Sequence, residues 1–296
     1  MTHKVSTYAK AAMRQQKRGK MDNIYEVISK KKVALAAHRG TCGGNIPFNS
    51  IAAFKAAVCA GADVVELDVE KSRDGVLFVE HPGFERIRLR LHDTLRNYPA
   101  DFIKELRHTN WDNTWTEYRI ITLEDALLYL CDKCIVNIDK FDGNPEEIAA
   151  LVRKLGVGER VLLKTPYKKE FLDAAEKYAS DLPFMVYAWD VEEAHEDLMN
   201  RNLRYAGLEV LFRDENSAAA DEAFINKLKK AGKFVWANAN VYDYTQVTAA
   251  GHNDDVSLLG NPEQGWGWLA DKGYDIIQTD FIYQSRRYLE DTGRRL

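Results

Sequence analysis

Five short stretches carry the side chains able to do chemistry. "AAHRG" ends an apolar run in His38 and Arg39. "VVELDVE" sets Glu66 and Asp68 two residues apart in a second apolar run. Alternation along a strand turns both to the same side. "GVLFVEH" ends in His81, "CIVNID" ends in Asp139 with Lys140 after it, and "RVLLKT" carries Lys164. Carboxylates are rare in buried strands unless something there uses them. Two carboxylates from one strand and Asp139 from another can hold a hard divalent cation, and an all-oxygen set favours Mg2+ or Ca2+ over zinc. Arg39 offers a planar fork for a phosphate, and Lys140 or Lys164 adds a point charge. His38 and His81 can act as general acid and base near neutral pH. Cation, phosphate clamp and paired imidazoles together point to cleavage of a phosphate ester. Taken singly, each residue has an ordinary explanation. A strand-end histidine is commonly a hydrogen-bonded core residue, and an acidic pair can simply salt-bridge Arg39 and Lys140. The whole set at one end of successive strands is harder to explain that way.

The elements that must position these residues follow from one repeated alternation. Apolar runs of strand length recur as "VALAAH", "DVVELDVE", "CIVNID", "RVLLKT", "PFMVYAW", "YAGLEVLF", "KFVWANA" and "YDIIQTD", each followed by an amphipathic stretch of helix length. Several of the helical stretches end in glycine, and Pro145 and Pro262 stand where a first helical turn begins. Eight such alternations predict an α/β fold closed into a (β/α)8 TIM barrel. An open doubly wound sheet is the alternative, but "HRGTCGGN" lacks the GxGxxG spacing it would need. In a barrel the C-terminal strand ends form the active face. Asn137, Glu209, Trp236, Asn238, Thr279 and Asp280 then join the residues above in one polar pocket. We expect one barrel domain over residues 1–296, with a helical extension over 1–32 and an insertion over 82–118 after strand two. Residues 239–261 read as a loop, and "MDNIYEVISKKK" reads as a helix covering the barrel's lower end or side.

Composition excludes several classes. The 296 residues are 46% hydrophobic and 29% charged, which suits a folded chain with a large core. A net charge of −4 gives no general affinity for nucleic acid, and no apolar run approaches a bilayer span, so stable membrane insertion is not expected. The N-terminal twenty residues are polar and basic without the apolar centre of a secretory signal, so a cytoplasmic location is expected. Cys131 and Cys134 have CxxC spacing, but no second ligand pair completes a zinc site, and the pair follows a helical pattern instead of opening one. They read as packed free thiols.

The stretches "AHRG", "PFNSIAAFKAA", "GADVVELDVEKSRDGVLFVEH", "VNIDK", "VWANAN" and "GYDIIQTD" resemble the glycerophosphodiester phosphodiesterases, over about residues 33–285. The resemblance implies a metal-dependent barrel that hydrolyses glycerophosphodiesters, small molecules, to glycerol phosphate and an alcohol. It implies His38 and His81 as the acid–base pair, metal binding by Glu66, Asp68 and Asp139, and phosphate contact by Arg39. Lys164 resembles a lysine that lines the site in this family, and Asn49, Trp236 and Asn238 are placed with the substrate-binding residues. Where the family ordinarily reads Pro-Glu-Asn-Thr, this chain has Pro47, Phe48, Asn49 and Ser50, so one carboxylate near the metal is absent. Pro82 follows His81 where an aspartate is usual, as in an HPG-type subgroup. His92, in "LHD", is the rival histidine. In the family the glycerol 2-hydroxyl can attack, giving a cyclic phosphate that water opens. We take His81 as the acid and His38 as the base. Trp236, Phe281 and the loop near Tyr242 are expected to line the alcohol pocket, where aromatics can hold a choline head. A phospholipase D-like or sphingomyelinase D-like enzyme and a catalytically impaired phosphodiester-binding homologue are the alternatives.

Overall fold

The structure is a computed structural model that describes residues 22–296. The polar and basic first twenty residues lie outside the described residues, as does most of the expected N-terminal extension.

The strands are β1 (Ala34–Ala37), β2 (Val64–Lys71), β3 (Leu77–Val79), β4 (Arg107–Thr109), β5 (Trp115–Arg119), β6 (Ile135–Asp139), β7 (Val161–Pro166), β8 (Phe184–Ala188), β9 (Tyr205–Val210), β10 (Phe234–Asn238) and β11 (Ile276–Thr279). The order β1-β11-β10-β9-β8-β7-β6-β2 is parallel throughout, and β1 also pairs with β2, so the sheet closes on itself. That is an eight-stranded TIM barrel, and each of its strands coincides with one of the eight apolar runs. Closure leaves no free edge in the ring, and its interior fills with side chains.

The helices in chain order are α1 (Ile24–Lys31), α2 (Ile51–Ala60), α3 (Glu85–Arg88), α4 (Ala100–Ile103), α5 (Leu123–Leu130), α6 (Pro145–Leu155), α7 (Lys169–Ala179), α8 (Val191–Met199), α9 (Glu222–Lys230), α10 (Asp254–Leu258), α11 (Trp268–Lys272) and α12 (Ile282–Asp291). The main core lies between the strands and the outer helices, where residues such as Leu67, Ile138, Val152 and Leu172 are fully buried. A second cluster fills the lower barrel, with Val64, Ile135, Leu162, Met185, Phe234, Trp236 and Ile276. Helix α1 caps it by inserting Ile24, against which Val27 and Ile28 also pack. Asn23 and Glu26 form a capping box that starts this helix where "MDNIYEV" predicts one.

Three features depart from the sequence reading. Strand β3 is not among the eight runs; it folds back antiparallel on β2 and carries His81 out of the barrel. Residues 262–273 form a π turn over Glu263–Gly267 before α11, and α10 lies within a segment read as loop. The insertion holds α3, α4 and the β4–β5 hairpin around a small core of Phe78, Leu89, Leu95, Ala100, Ile103 and Ile120. Among the described residues, no helix is long and apolar enough to cross a membrane.

Candidate active site

The site begins at the turn after β1. Arg39 and Gly40 both have left-handed backbone, with φ 55° and 82°. A Cβ on Gly40 would lie 2.8 Å from the Ala53 carbonyl carbon, so only glycine lets α2 approach. This turn directs the Arg39 N–H at Glu66 Oε2, 2.9 Å away, and brings Arg39 Nε to 2.9 Å from Asp68 Oδ2, an ion pair out of line for a hydrogen bond. Before α2, Asn49 also takes left-handed backbone (φ 53°), and its amide donates to Asp68 Oδ2 at 2.9 Å.

Glu66, Asp68 and Asp139 converge from β2 and β6, which are paired with Asp68 directly beside Asp139. One carboxylate oxygen of each lies within 4.8 Å of the others, and all three side chains are buried. Asp68 Oδ1 is buried with no hydrogen-bond donor. A clustered all-oxygen donor set with an unserved oxygen fits a hard divalent cation.

The electrostatics of these groups differ. Burial, and then the Asp68 charge beside it, pushes the Glu66 carboxyl up to about 7. Burial would also raise Asp68 and Asp139. In Asp68 the nearby Arg39 and His81 outweigh it, and in Asp139 Lys164 and Lys140 do, so both lie below the usual carboxylate range.

Lys140 stands immediately after Asp139, a spacing that on a continuing strand would send it to the other side. Its left-handed backbone (φ 59°) breaks the alternation and returns Nζ to 2.8 Å from Asp139 Oδ2. Lys164 Nζ lies 3.0 Å from Glu209 Oε2 and 3.9 Å from Asp139 Oδ2. Burial would lower its pKa, but these carboxylates raise it well above the usual lysine range.

Both histidines border the same cavity of about 620 Å³, together with Arg39, Glu66, Asp139 and Lys164. His38 Nδ1 lies 3.0 Å from Asp280 Oδ1. His81 Nδ1 lies 2.8 Å from the Pro82 carbonyl oxygen, and its ring stacks on Phe84 at 4.4 Å. A carbonyl only accepts, so His81 must carry its proton on Nδ1, leaving Nε2 toward the site, 3.9 Å from Asp68 Oδ1. Burial lowers the His81 pKa, and the Asp68 charge only partly offsets that. The ring's partner is thus the backbone carbonyl of residue 82 and does not depend on which side chain stands there. His92 is exposed and does not line the cavity.

Three expected substrate contacts sit differently from the sequence reading. Asn238 lines the cavity, but its amide donates to Glu209 Oε1 at 2.7 Å. Trp236 is fully buried in the lower barrel, below the lining, and its indole N–H donates to Asn238 Oδ1 at 3.1 Å. Asn49 is buried behind Asp68. Trp236 thus steadies the lining residue Asn238, and Asn49 steadies Asp68; neither Trp236 nor Asn49 lines the cavity itself. Phe281 is likewise absent from the lining, whereas Tyr242 is present and meets the His38 ring edge-on at 5.4 Å.

Sequence reasoning left aside several lining residues. Asp280, directly after β11, and Glu209, inside β9, are not among them, since the sequence reading already put both in the pocket, which they line. Phe84, Ile87, Arg88 and Trp111 come from the insertion and Trp189 from the β8–α8 loop, where no periodicity marks them. Cys131 and Cys134 are buried free thiols at the C-terminal end of α5, and burial pushes Cys134 up to about 12.

Comparison with known proteins agrees with this geometry. Residues 38–283 match the model of the glycerophosphoryl diester phosphodiesterase family. The chain is 30% identical over 141 residues to the uncharacterized protein YqiK of Bacillus subtilis, a match covering 44% of this chain and 56% of that protein. It is 30% identical over 142 residues to a glycerophosphodiester phosphodiesterase of Caldanaerobacter subterraneus, covering 45% of this chain and 58% of the relative. The chain thus spans a little over half the length of these curated relatives. A glycerophosphoryl diester phosphodiesterase structure from Parabacteroides distasonis superimposes with a TM-score of 0.72 at 17% identity, covering 92% of this chain and 93% of the other. A phosphodiesterase from Oleispira antarctica, solved with the product sn-glycerol-3-phosphate, superimposes with a TM-score of 0.62 at 18% identity, covering 87% and 96%. With the family model matched over most of its length, the chain belongs to the glycerophosphoryl diester phosphodiesterase family.

Proposed function

We propose that this protein hydrolyses glycerophosphodiesters to glycerol phosphate and an alcohol, with a divalent cation, Mg2+ or Ca2+, at Glu66, Asp68 and Asp139. The observation that carries this reading is the pair of imidazoles, each fixed through Nδ1, that border one cavity with the carboxylate cluster and Arg39. When bound, the cation would supply Lewis-acid polarisation of a phosphoryl oxygen. Arg39 faces another phosphate oxygen, and Lys164 adds positive charge from the cavity floor. His81, holding its proton on Nδ1 against Pro82, is poised to take the proton of the attacking hydroxyl at Nε2. His38, backed by Asp280, gives a proton from Nε2 to the oxygen of the departing alcohol as the P–O bond breaks. This reverses the division of labour favoured from the sequence. Asn49 positions Asp68, and Asn238 and Trp236 position Glu209 beneath Lys164. The buried free thiols support a reducing, cytoplasmic setting.

The test is phosphorus NMR of glycerophosphocholine, glycerophosphoethanolamine and glycerophosphoglycerol with the full chain, with and without EDTA. Metal-dependent loss of a diester signal with growth of a monoester is expected. Binding without loss of any diester would favour a non-hydrolysing homologue, the reading to which Phe48 in place of a family carboxylate points. For the two histidines, a p-nitrophenyl leaving group departs without a proton. It should restore activity to His38→Ala and not to His81→Ala; the opposite pattern restores the sequence-based assignment.

A further inference from the structure

The cavity's lysines and arginines are not alike. Arg39 faces Asp68, Lys140 faces Asp139, and Lys164 faces Glu209. Arg88, from α3 in the insertion, also lines the cavity, yet among the described residues no carboxylate pairs with it. Its guanidinium lies instead over two aromatic faces, 5.2 Å from the Phe48 ring centre and 4.9 Å from that of Trp111. Those rings touch each other edge-on at 5.2 Å, so they form a fixed seat for the cation. The acid nearest in influence is Glu80, a buried carboxyl pushed up to about 8, mainly by burial, and so a weak counter-charge near neutral pH. Aromatic faces steady a guanidinium but leave its in-plane N–H donors free. Among the described residues those donors have no anionic acceptor, which leaves them open to one on a substrate.

We infer that Arg88 makes the insertion side of this cavity an anion-accepting subsite. Resting on the diester hydrolysis proposed above, this assigns the favoured substrates as glycerophosphodiesters whose alcohol carries a carboxylate or a second phosphate. The same seat disfavours quaternary ammonium heads. The faces of Phe48 and Trp111 that could cage choline already hold a guanidinium, and a second cation there meets like charge. The cavity's outer acids are already engaged. Asp280 is engaged by His38, and Asp243 by the Thr245 turn. Phe48 therefore has a use in this chain: it replaces a family carboxylate with a ring that seats Arg88.

Three matched diesters of sn-glycerol 3-phosphate test this, with propanol, 3-hydroxypropionate and choline as the alcohol. With metal-loaded wild type, kcat/KM should be about tenfold or more higher for the carboxylate than for the propyl diester, as expected for a charge-assisted hydrogen bond, and lowest for choline. Arg88→Gln should lose that factor for the carboxylate alone and keep the propyl diester within about twofold; Arg88→Lys should keep part of the preference. Calorimetric titration of the same diesters into His81→Ala, whose turnover is slowed about 10²–10⁴-fold, reads the binding order. Propyl turnover without carboxylate preference would overturn the inference and leave the diester reading standing. Equal loss for all three substrates in Arg88→Gln would also overturn it, assigning Arg88 to the diester phosphate. Should wild type cleave none of them, the diester reading fails, and the binding order in His81→Ala then decides the subsite separately.

Discussion

The floor and the rim of the cavity are built on opposite terms. On the floor, Glu66, Asp68, Asp139, Lys164 and Glu209 project from central barrel strands and are buried, with Lys164 paired to Glu209 at 3.0 Å and Asp68 to Arg39 at 2.9 Å. At the rim, Ile87, Trp111, Trp189 and Tyr242 come from connections between strands and are 60%, 57%, 43% and 45% exposed. Strands held on both sides cannot move singly, so they fix charged groups to the tolerance that a phosphate and a cation demand. Loops need only present a surface, and they can change without disturbing the barrel. On the proposed function, the contrast teaches that the strands hold the charged groups and the connections shape the surface that would meet the alcohol.

The most damaging test of this contrast is His81→Ala, because His81 belongs to both halves: it follows β3 at the threshold of the insertion and aims at the floor. A loss of about 10²–10⁴-fold in kcat/KM is expected, with metal affinity retained. His92→Ala, an exposed neighbour, should change nothing, and equal losses in both would show that the insertion and not the imidazole matters. A floor substitution should do the reverse. Glu66→Gln should weaken cation binding by at least the roughly 10–100-fold that even an outer partner's loss costs, read by calorimetry, while the fold is kept. Unchanged affinity would remove Glu66 from the ligands. A smaller effect belongs to Phe84, which stacks on His81 and lies 5.1 Å from the Arg39 guanidinium. Phe84→Leu should cost about 0.5–1.5 kcal/mol of activation free energy, the worth of an aromatic contact. The loss should fall in kcat more than in metal affinity.

A separate test, on stability, sharpens where floor and rim meet. Glu80 accepts the His81 N–H at 3.0 Å and faces the buried His108 of the insertion at 3.6 Å. Burial pushes Glu80 up to about 8 and His108 down to about 4. A carboxyl whose folded pKa is raised contributes stability that is full below its unfolded pKa of about 4.3 and is lost as pH rises through about 8. Denaturant unfolding should therefore show wild type losing ground to Glu80→Gln between pH 5 and pH 9 as the carboxyl ionises. A constant gap across that range would mean that Glu80 is ionised throughout.

The same division explains what the sequence could disclose. Barrel strands bury both faces, so they read as apolar runs, and a charge such as Glu66 or Asp139 inside one is conspicuous. The direction of Lys140 was not legible, because alternation assumes extended backbone and its left-handed turn is invisible to a period of two. Trp236 was placed in the pocket because a strand-end aromatic can face either layer, and only the packing with Met185 and Phe234 below shows which. Arg88 gave no signal, because a short helix in an aperiodic insertion has no pattern from which a direction can be read.

Strand β3 pairs with β2 through only Val69–Val79, Glu70–Phe78 and Lys71–Leu77 before the chain leaves for the insertion. That ribbon, tied also to Thr122 through Phe78, is what joins the insertion to the barrel. Fraying there would carry His81, Phe84 and Arg88 away together, while the carboxylates on β2 and β6 stay paired within the barrel. Cation capture and turnover would then belong to separate cooperative units. A protein nicked in the insertion would still titrate metal as an intact one does, while catalysing nothing.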